Sequence, residues 1–417
     1  MQSNNPDERE HLLDQLTEYE RRLGLAWTRG DVASQRLPAQ PASLETVQGD
    51  LQPDEALVEY VLDDPNSFCL SINKDGAYLQ RLPAGRKEIE RLTRAYISEI
   101  REKRDGAEIS RQLFTILVKP VDEPSHATRR IVVPDGVLNL LPFDALRGDD
   151  GQFLIRSREI TYAPSGTILI ALRRADKQQP TPRLALAVGD VVYENQGDAS
   201  RRLPKPASLS ARVERGIADL SGIALHDLPQ TREEVEEIDK IIGHNSMLLV
   251  GKDATETAFK KEPLDQFRIL HLAVHGFADT QYPERSALVL GKDSGDDGLL
   301  QVREIIRLKL NAQLATLSAC DTGVGKLQGE EGISNLAEAF LVAGARSVVA
   351  SLWSADDTSA SSLMEQFYKR LAGESVSAAL RNAKLDMLSK FGNDLTPYYW
   401  AAFISVGETS TPIGITK

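Results

Sequence analysis

Cysteine is nearly absent: there are two among 417 residues. That scarcity excludes a disulfide framework, and free thiols fit a reducing compartment, so a cytoplasmic location is expected. A long apolar run is missing as well. The longest candidate, Leu336 to Trp353, is broken by Glu338 and Arg346, short of the ~18–20 residues that cross a bilayer, and no membrane attachment is expected. Met1 to Glu8 shows neither a basic start nor an apolar stretch, and does not read as a secretory signal. Positive charge is not in excess. With 61 acidic against 49 basic residues and a formal net charge of −12, binding to a phosphate backbone is not the expected task, because that needs a concentrated basic face. No repeat shows at a period of 34 or 40 residues, so an array of helical repeats is not encoded. What is present is 41% hydrophobic and 26% charged, the balance of a globular enzyme, with length for two or three domains of roughly 100–200 residues each.

The first 45 residues carry Leu12, Leu13, Leu16 and Tyr19 at helical spacing, followed by a Pro- and Gln-containing connector. This pattern predicts a docking helix. From Glu55 the pattern changes to Ala56–Leu62 and Phe68–Ile72 around Asp63-Asp64-Pro65-Asn66, which predicts a hairpin. A helix-patterned segment from about Lys87 to Val118 precedes Arg130–Val133, a strand running into the turn Pro134-Asp135-Gly136. The polar stretch Arg173 to Arg183 is the expected linker. Beyond it, apolar strands are predicted near Leu184–Val188, Met247–Val250, Ile269–Val274, Ala287–Leu290, Ala315–Ala319, Ser347–Leu352 and Phe403–Val406. They alternate with amphipathic helices in the manner of a parallel sheet covered on both faces. Thr231 and Asp253, each followed three residues later by Glu, are the expected helix caps. Ile333, Leu336, Ala337, Phe340 and Leu341 form one apolar stripe on a helix.

Two segments carry reactive side chains. Phe267–Val274 is an apolar strand ending on His275-Gly276, and Leu314–Ala319 is another ending on Cys320-Asp321-Thr322-Gly323. In open α/β sheets the carboxyl ends of the strands form the ligand crevice, so both residues can face one substrate. Cys320 follows His275 by 45 residues, near the roughly 50-residue offset of the caspase order. A thiolate is the nucleophile that peptide cleavage needs, and an imidazole takes its proton and returns it to the leaving amine. Gly276 admits substrate backbone, and its N–H with that of Cys320 is the expected oxyanion site, where one lost donor costs about 3–4 kcal/mol. Each residue alone is more often an ordinary core side chain; the paired arrangement with Gly276 is what points to chemistry. His271 with His275 suggests a metal pair, but the Glu of a His-Glu-x-x-His helix is missing and the segment reads as strand. No metal or other cofactor is expected. Gly325-Lys326 is followed by Leu327 and lacks the earlier Gly of a phosphate loop, so no nucleotide site is expected.

At these residues the chain resembles the CHAT family, caspase-like peptidases of the group that includes caspases, metacaspases, gingipains and separase. The resemblance spans about residues 50–408 through Ile131–Gly136 with Leu141-Pro142-Phe143, Tyr162–Ser165, His271–Gly276, Leu317–Gly323, Ala343–Val348, Ser351-Leu352-Trp353 and Tyr399–Phe403. It implies an α/β fold with a caspase-like, mostly parallel sheet and helices on both faces, preceded by a related pseudo-caspase α/β half. The expected division is 1–45 N-terminal segment, 46–175 pseudo-caspase half and 176–417 catalytic domain. It also implies a cysteine endopeptidase that cuts one specific intracellular protein in bacterial defence or programmed cell death, the alternative being a catalytically silent scaffold or signalling module. Cys69, in an early hairpin strand, is expected in the core. The glycine after Cys320 stands three residues on, not two as in caspases proper, so their preference for Asp is not carried over. Asp321 and Asp190 are candidates to line the first substrate pocket and favour Arg or Lys. Expected partners are a protein substrate and a separate activator docking on the N-terminal segment, or control by the polar loop Tyr193 to Gln230, which contains Arg201, Arg202 and Arg212 and is a candidate for self-cleavage.

Overall fold

The computed structural model describes residues 40–122, 127–175, 181–193, 225, 227–228, 230–243, 245–277, 283–318, 320–321, 332–353, 356–392 and 395–415. The docking helix expected around Leu12 to Tyr19, the interior of the 193–230 loop and residues 322–331 lie outside this set. In chain order the described elements include α1 (Leu44–Asp50), β1 (Glu55–Val61), β2 (Phe68–Asn73), β3 (Ala77–Arg81), α2 (Arg86–Arg101), α3 (Ala107–Leu113), β4 (Arg129–Val133), β5 (Glu159–Tyr162) and α4 (Gly166–Arg174). They continue with β6 (Arg183–Val191), α5 (Gln230–Ile241), β7 (Ser246–Gly251), α6 (Glu256–Lys261), β8 (Phe267–Leu272), β9 (His275–Phe277), β10 (Ala287–Val289), β11 (Leu299–Gln301), β12 (Leu314–Leu317) and β13 (Cys320–Asp321). The last are α7 (Gly332–Ala343), β14 (Ser347–Ser351), α8 (Asp357–Arg370), α9 (Val376–Phe391) and β15 (Phe403–Gly407).

Eleven strands join in one sheet, in the order β3-β2-β1-β4-β5-β15-β14-β12-β8-β6-β7. The β1–β2–β3 meander and the β14–β15 pair are antiparallel, and the remaining neighbours are parallel. The fold is therefore mixed α/β around a mostly parallel sheet. β4, β8, β12 and β14 are almost wholly buried, as continuous apolar runs in a parallel sheet must be, since helices cover both sides. On one face α1 and α4 close over Leu57, Ile131, Val133 and Ala163. α5, α8 and α9 pack side by side, and α5 and α8 meet His271 and Thr316. α7 packs on β14, its stripe of Leu336, Ala337, Phe340 and Leu341 buried.

Some local expectations are corrected. The segment 87–118 is not one helix: α2 stops, the chain passes through left-handed turns at Lys103 and Gly106, both at φ 61°, and α3 starts afresh. Thr231 lies inside α5 and not before it; its hydroxyl donates to Leu228 O and accepts Asp190 N–H. α6 is capped by Thr255, whose hydroxyl accepts from Ala258 N, two residues after the expected Asp253, while Glu256 turns inward to accept Gly298 N–H. Arg173 does not begin a linker. It lies in the last turn of α4 and bonds the Glu55 and Glu408 carboxylates, 2.8–2.9 Å away, because two acidic groups buried there need a cation. Cys69 is fully buried on β2, as expected.

Candidate active site

β8 and β12 lie side by side in the large sheet, with Leu272 opposite Leu317 as their last pair. After these strands come two short ones, β9 and β13. These pair with each other in parallel, Cys320 opposite His275 and Asp321 opposite Gly276. Both residues stand three positions beyond the last pair, so the two chains keep their register across the break. The expectation that His275 and Cys320 end strands of the large sheet is corrected: they open strands of a second, four-stranded sheet, β11-β10-β9-β13. The stretch Leu270–Val274, apolar but for His271, carries no mark of where a strand changes partner, which is why sequence periodicity alone reads it as continuous.

His275 is 6% exposed. Its backbone N–H donates to Tyr193 Oη at 3.2 Å, and that hydroxyl donates to Val289 O at 3.1 Å. The phenol ring also lies against the imidazole, with centroids 4.8 Å apart and planes inclined by 41°. Tyr193, expected only as the first residue of a polar loop, is instead buried; the signal for this is an aromatic two residues past the end of a buried strand. His271 belongs to another setting. Its Nδ1 lies 3.0 Å from Tyr368 Oη, which is 3.0 Å from Thr316 Oγ1. Its Nε2 is 3.0 Å from Glu234 Oε1, close enough for an ion pair but outside hydrogen-bond geometry. All four residues are buried, so His271 serves a polar network beneath the strands and not a metal pair with His275.

Gly276 pairs with Leu288 on one side and Asp321 on the other. Successive residues of a strand turn their N–H groups to opposite edges. Asp190 stands at the end of β6 with φ 50°, and its carboxylate is taken by Arg232, with Nε to Oδ2 at 2.8 Å. A substrate cation would have to displace that guanidinium. Asp321 enters by its backbone pairing with Gly276. Away from these strands, Glu256, Asp296 and Glu304 form a cluster of carboxylates. The Lys260 ammonium sits among them at 2.6, 3.1 and 2.7 Å, supplying the positive charge in place of a metal ion. No helix among the described residues is long and apolar enough to cross a membrane.

Tetratricopeptide repeat protein 28 of Homo sapiens is 24% identical over 72% of this chain, and its Mus musculus counterpart is 24% identical over the same share. The chain spans about 13% of the length of each. Among solved structures, the Saccharomyces cerevisiae separase–securin complex matches 87% of this chain and 30% of its own at 14% identity and a TM-score of 0.49. The pro- and mature domains of RgpB from Porphyromonas gingivalis match 80% of this chain and 71% of theirs at 11% identity and a TM-score of 0.43. The CHAT domain model matches residues 107–408, most of the chain and both of the strands that carry His275 and Cys320. The chain belongs to the CHAT domain family.

Proposed function

We propose that the protein is a cysteine endopeptidase in which Cys320 attacks the peptide carbonyl and His275 moves the proton. The observation that supports this reading is the register Cys320 opposite His275, which brings the backbones of a thiol and an imidazole residue to one rung of a two-stranded ladder. In the reaction the Cys320 thiol gives its proton to His275, the thiolate adds to the carbonyl carbon, and the imidazolium returns the proton to the leaving amine as the carbon–nitrogen bond breaks. Water then cleaves the thioester with His275 as base. Backbone N–H groups of Gly276 and Cys320 are the proposed oxyanion donors. Asp321 is the better candidate of the two acids to favour Arg or Lys in the first subsite, since Arg232 already neutralises Asp190.

The proposed substrate is one specific protein of the cell's interior, cut in bacterial defence or programmed cell death, with a separate activator docking near the N-terminal segment and residues 46–175 and 176–417 as related halves. A second reading is a catalytically silent CHAT scaffold, favoured by relatives named for tetratricopeptide repeats and not for a peptidase activity. A thiol-directed peptide probe separates the two. The peptidase reading expects covalent labelling that disappears in Cys320→Ala and falls steeply in His275→Ala; labelling of equal extent in both variants supports the scaffold.

A further inference from the structure

We propose that Tyr193 is the positioning residue for the His275 imidazole, an inference that rests on the peptidase reading. His275 and Val289 are opposite each other in the antiparallel β9–β10 pair. At this rung the Tyr193 hydroxyl accepts the His275 N–H and donates to the Val289 carbonyl. It thus links the two strands through an oxygen at the point where the catalytic strand begins. One side chain therefore holds His275 twice, by its backbone through the hydroxyl and by its ring through the tilted phenol, centroids 4.8 Å apart.

Position matters because the same imidazole must meet the thiol proton and then the leaving nitrogen. A displacement of about 1 Å in such a group can cost roughly 100-fold in rate. The phenol arrives from a neighbouring strand of the large sheet. β6 pairs with β8 as far as Val188 and Leu272, and Ala273 N–H still donates to Val188 O at 2.8 Å. The chain then runs through Asp190, anchored by Arg232, to Tyr193, which is 7% exposed. The large sheet thereby reaches across the break in β8–β9 and fixes the residue on the far side. Tyr193 touches His275, so its effect is read through the behaviour of that imidazole.

The test uses the full chain and iodoacetamide, which needs no knowledge of the substrate. The rate of Cys320 alkylation is followed against pH for the wild type, His275→Ala, Tyr193→Phe and Tyr193→Leu. His275→Ala is expected to abolish the enhanced thiolate reactivity below the ordinary thiol pKa of about 8.5. Tyr193→Leu, which removes both ring and hydroxyl, is expected to lower the near-neutral rate by roughly 10-fold or more and shift the profile toward that of His275→Ala. Tyr193→Phe, which removes a single oxygen and keeps the ring, is expected to fall between and keeps the test decisive should the leucine variant not fold. A loss confined to His275→Ala, with both Tyr193 variants keeping the wild-type profile, overturns the positioning role alone. A wild-type profile in His275→Ala overturns the peptidase reading and this inference with it.

Discussion

Cys69 and Cys320 are chemically the same residue in different surroundings. On β2 the Cys69 thiol is fully buried opposite Tyr60, and burial pushes its pKa up to about 11. At about pH 8 only about one such thiol in a thousand is ionised, and the folded core keeps reagents from it. Alkylation of the folded protein is therefore expected to add one label, lost in Cys320→Ala, and a second only after denaturation in urea; peptide mass mapping reads this, and modification of Cys69 in the folded state contradicts it. At this scale the sequence is informative through combination: His275-Gly276 and Cys320, each ordinary alone, mark the proposed site only as a pair. Sequence alone gives Glu234 only as the acid of a helix cap and Tyr193 only as the start of a polar loop, whereas both are buried against histidines. Their roles come from partners 82 and 37 residues away, and spacing of that kind leaves no local pattern.

Elements show the same division. The strands of the large sheet follow the apolar runs closely, since a parallel strand buried on both faces is mostly apolar and the charged residues it holds, such as Arg130 and Glu55, are ion-paired. β9 and β13 were not legible as separate strands, being three and two residues long and continuous with the runs before them. Helix starts were read from capping patterns that tertiary contacts overrode. Thr255→Ala is accordingly expected to cost about 1 kcal/mol in urea unfolding, whereas Asp253→Ala stays within about 0.5 kcal/mol; the reverse order would restore the cap suggested by sequence. Glu256, one residue into α6, adds a pH dependence. Burial pushes its carboxyl up to about 7, although Lys260 Nζ at 2.6 Å draws it down. Burial also works against the Lys260 ammonium, yet its bonds to Glu256, Glu304 and Asp296 push its pKa up, so it stays charged and the titration belongs to Glu256. A carboxyl that holds its proton more tightly when folded favours the fold below its ordinary value of 4.5 and loses that contribution as pH rises through about 7. Glu256→Gln keeps an acceptor for the Gly298 N–H and removes the titration. Its urea midpoint is expected to fall less between about pH 5 and about pH 8 than that of the wild type, and parallel curves would contradict the assignment.

Across the whole molecule, the first five strands and the later six meet at one rung, Tyr162 opposite Val406. So narrow a seam needs other ties. Arg173 on α4 joins Glu55 at the start of β1 to Glu408 just after β15, with all three side chains nearly buried. Lys384 on α9 reaches the Asp144 carboxylate in the interior, and Arg381 donates to the carbonyls of Ile155, Arg156 and Arg158. Removing one partner of a buried pair leaves an uncompensated charge, so Arg173→Met is expected to lose about 3–5 kcal/mol of unfolding free energy. A loss under about 1 kcal/mol would mean that the clamp is not what holds the seam. These ties span up to 240 residues, which explains why a stretch of polar text around Arg173 passes for a linker in sequence. The central claim is that this frame exists to set Cys320 and His275 on one rung for peptide cleavage. The most direct measurement is turnover of a fluorogenic peptide library, varied at the residue before the cut, by the full chain and by Cys320→Ala and His275→Ala. Turnover that drops by a factor of ~1,000 or more in both variants is the result expected; turnover that survives unchanged in both would contradict it.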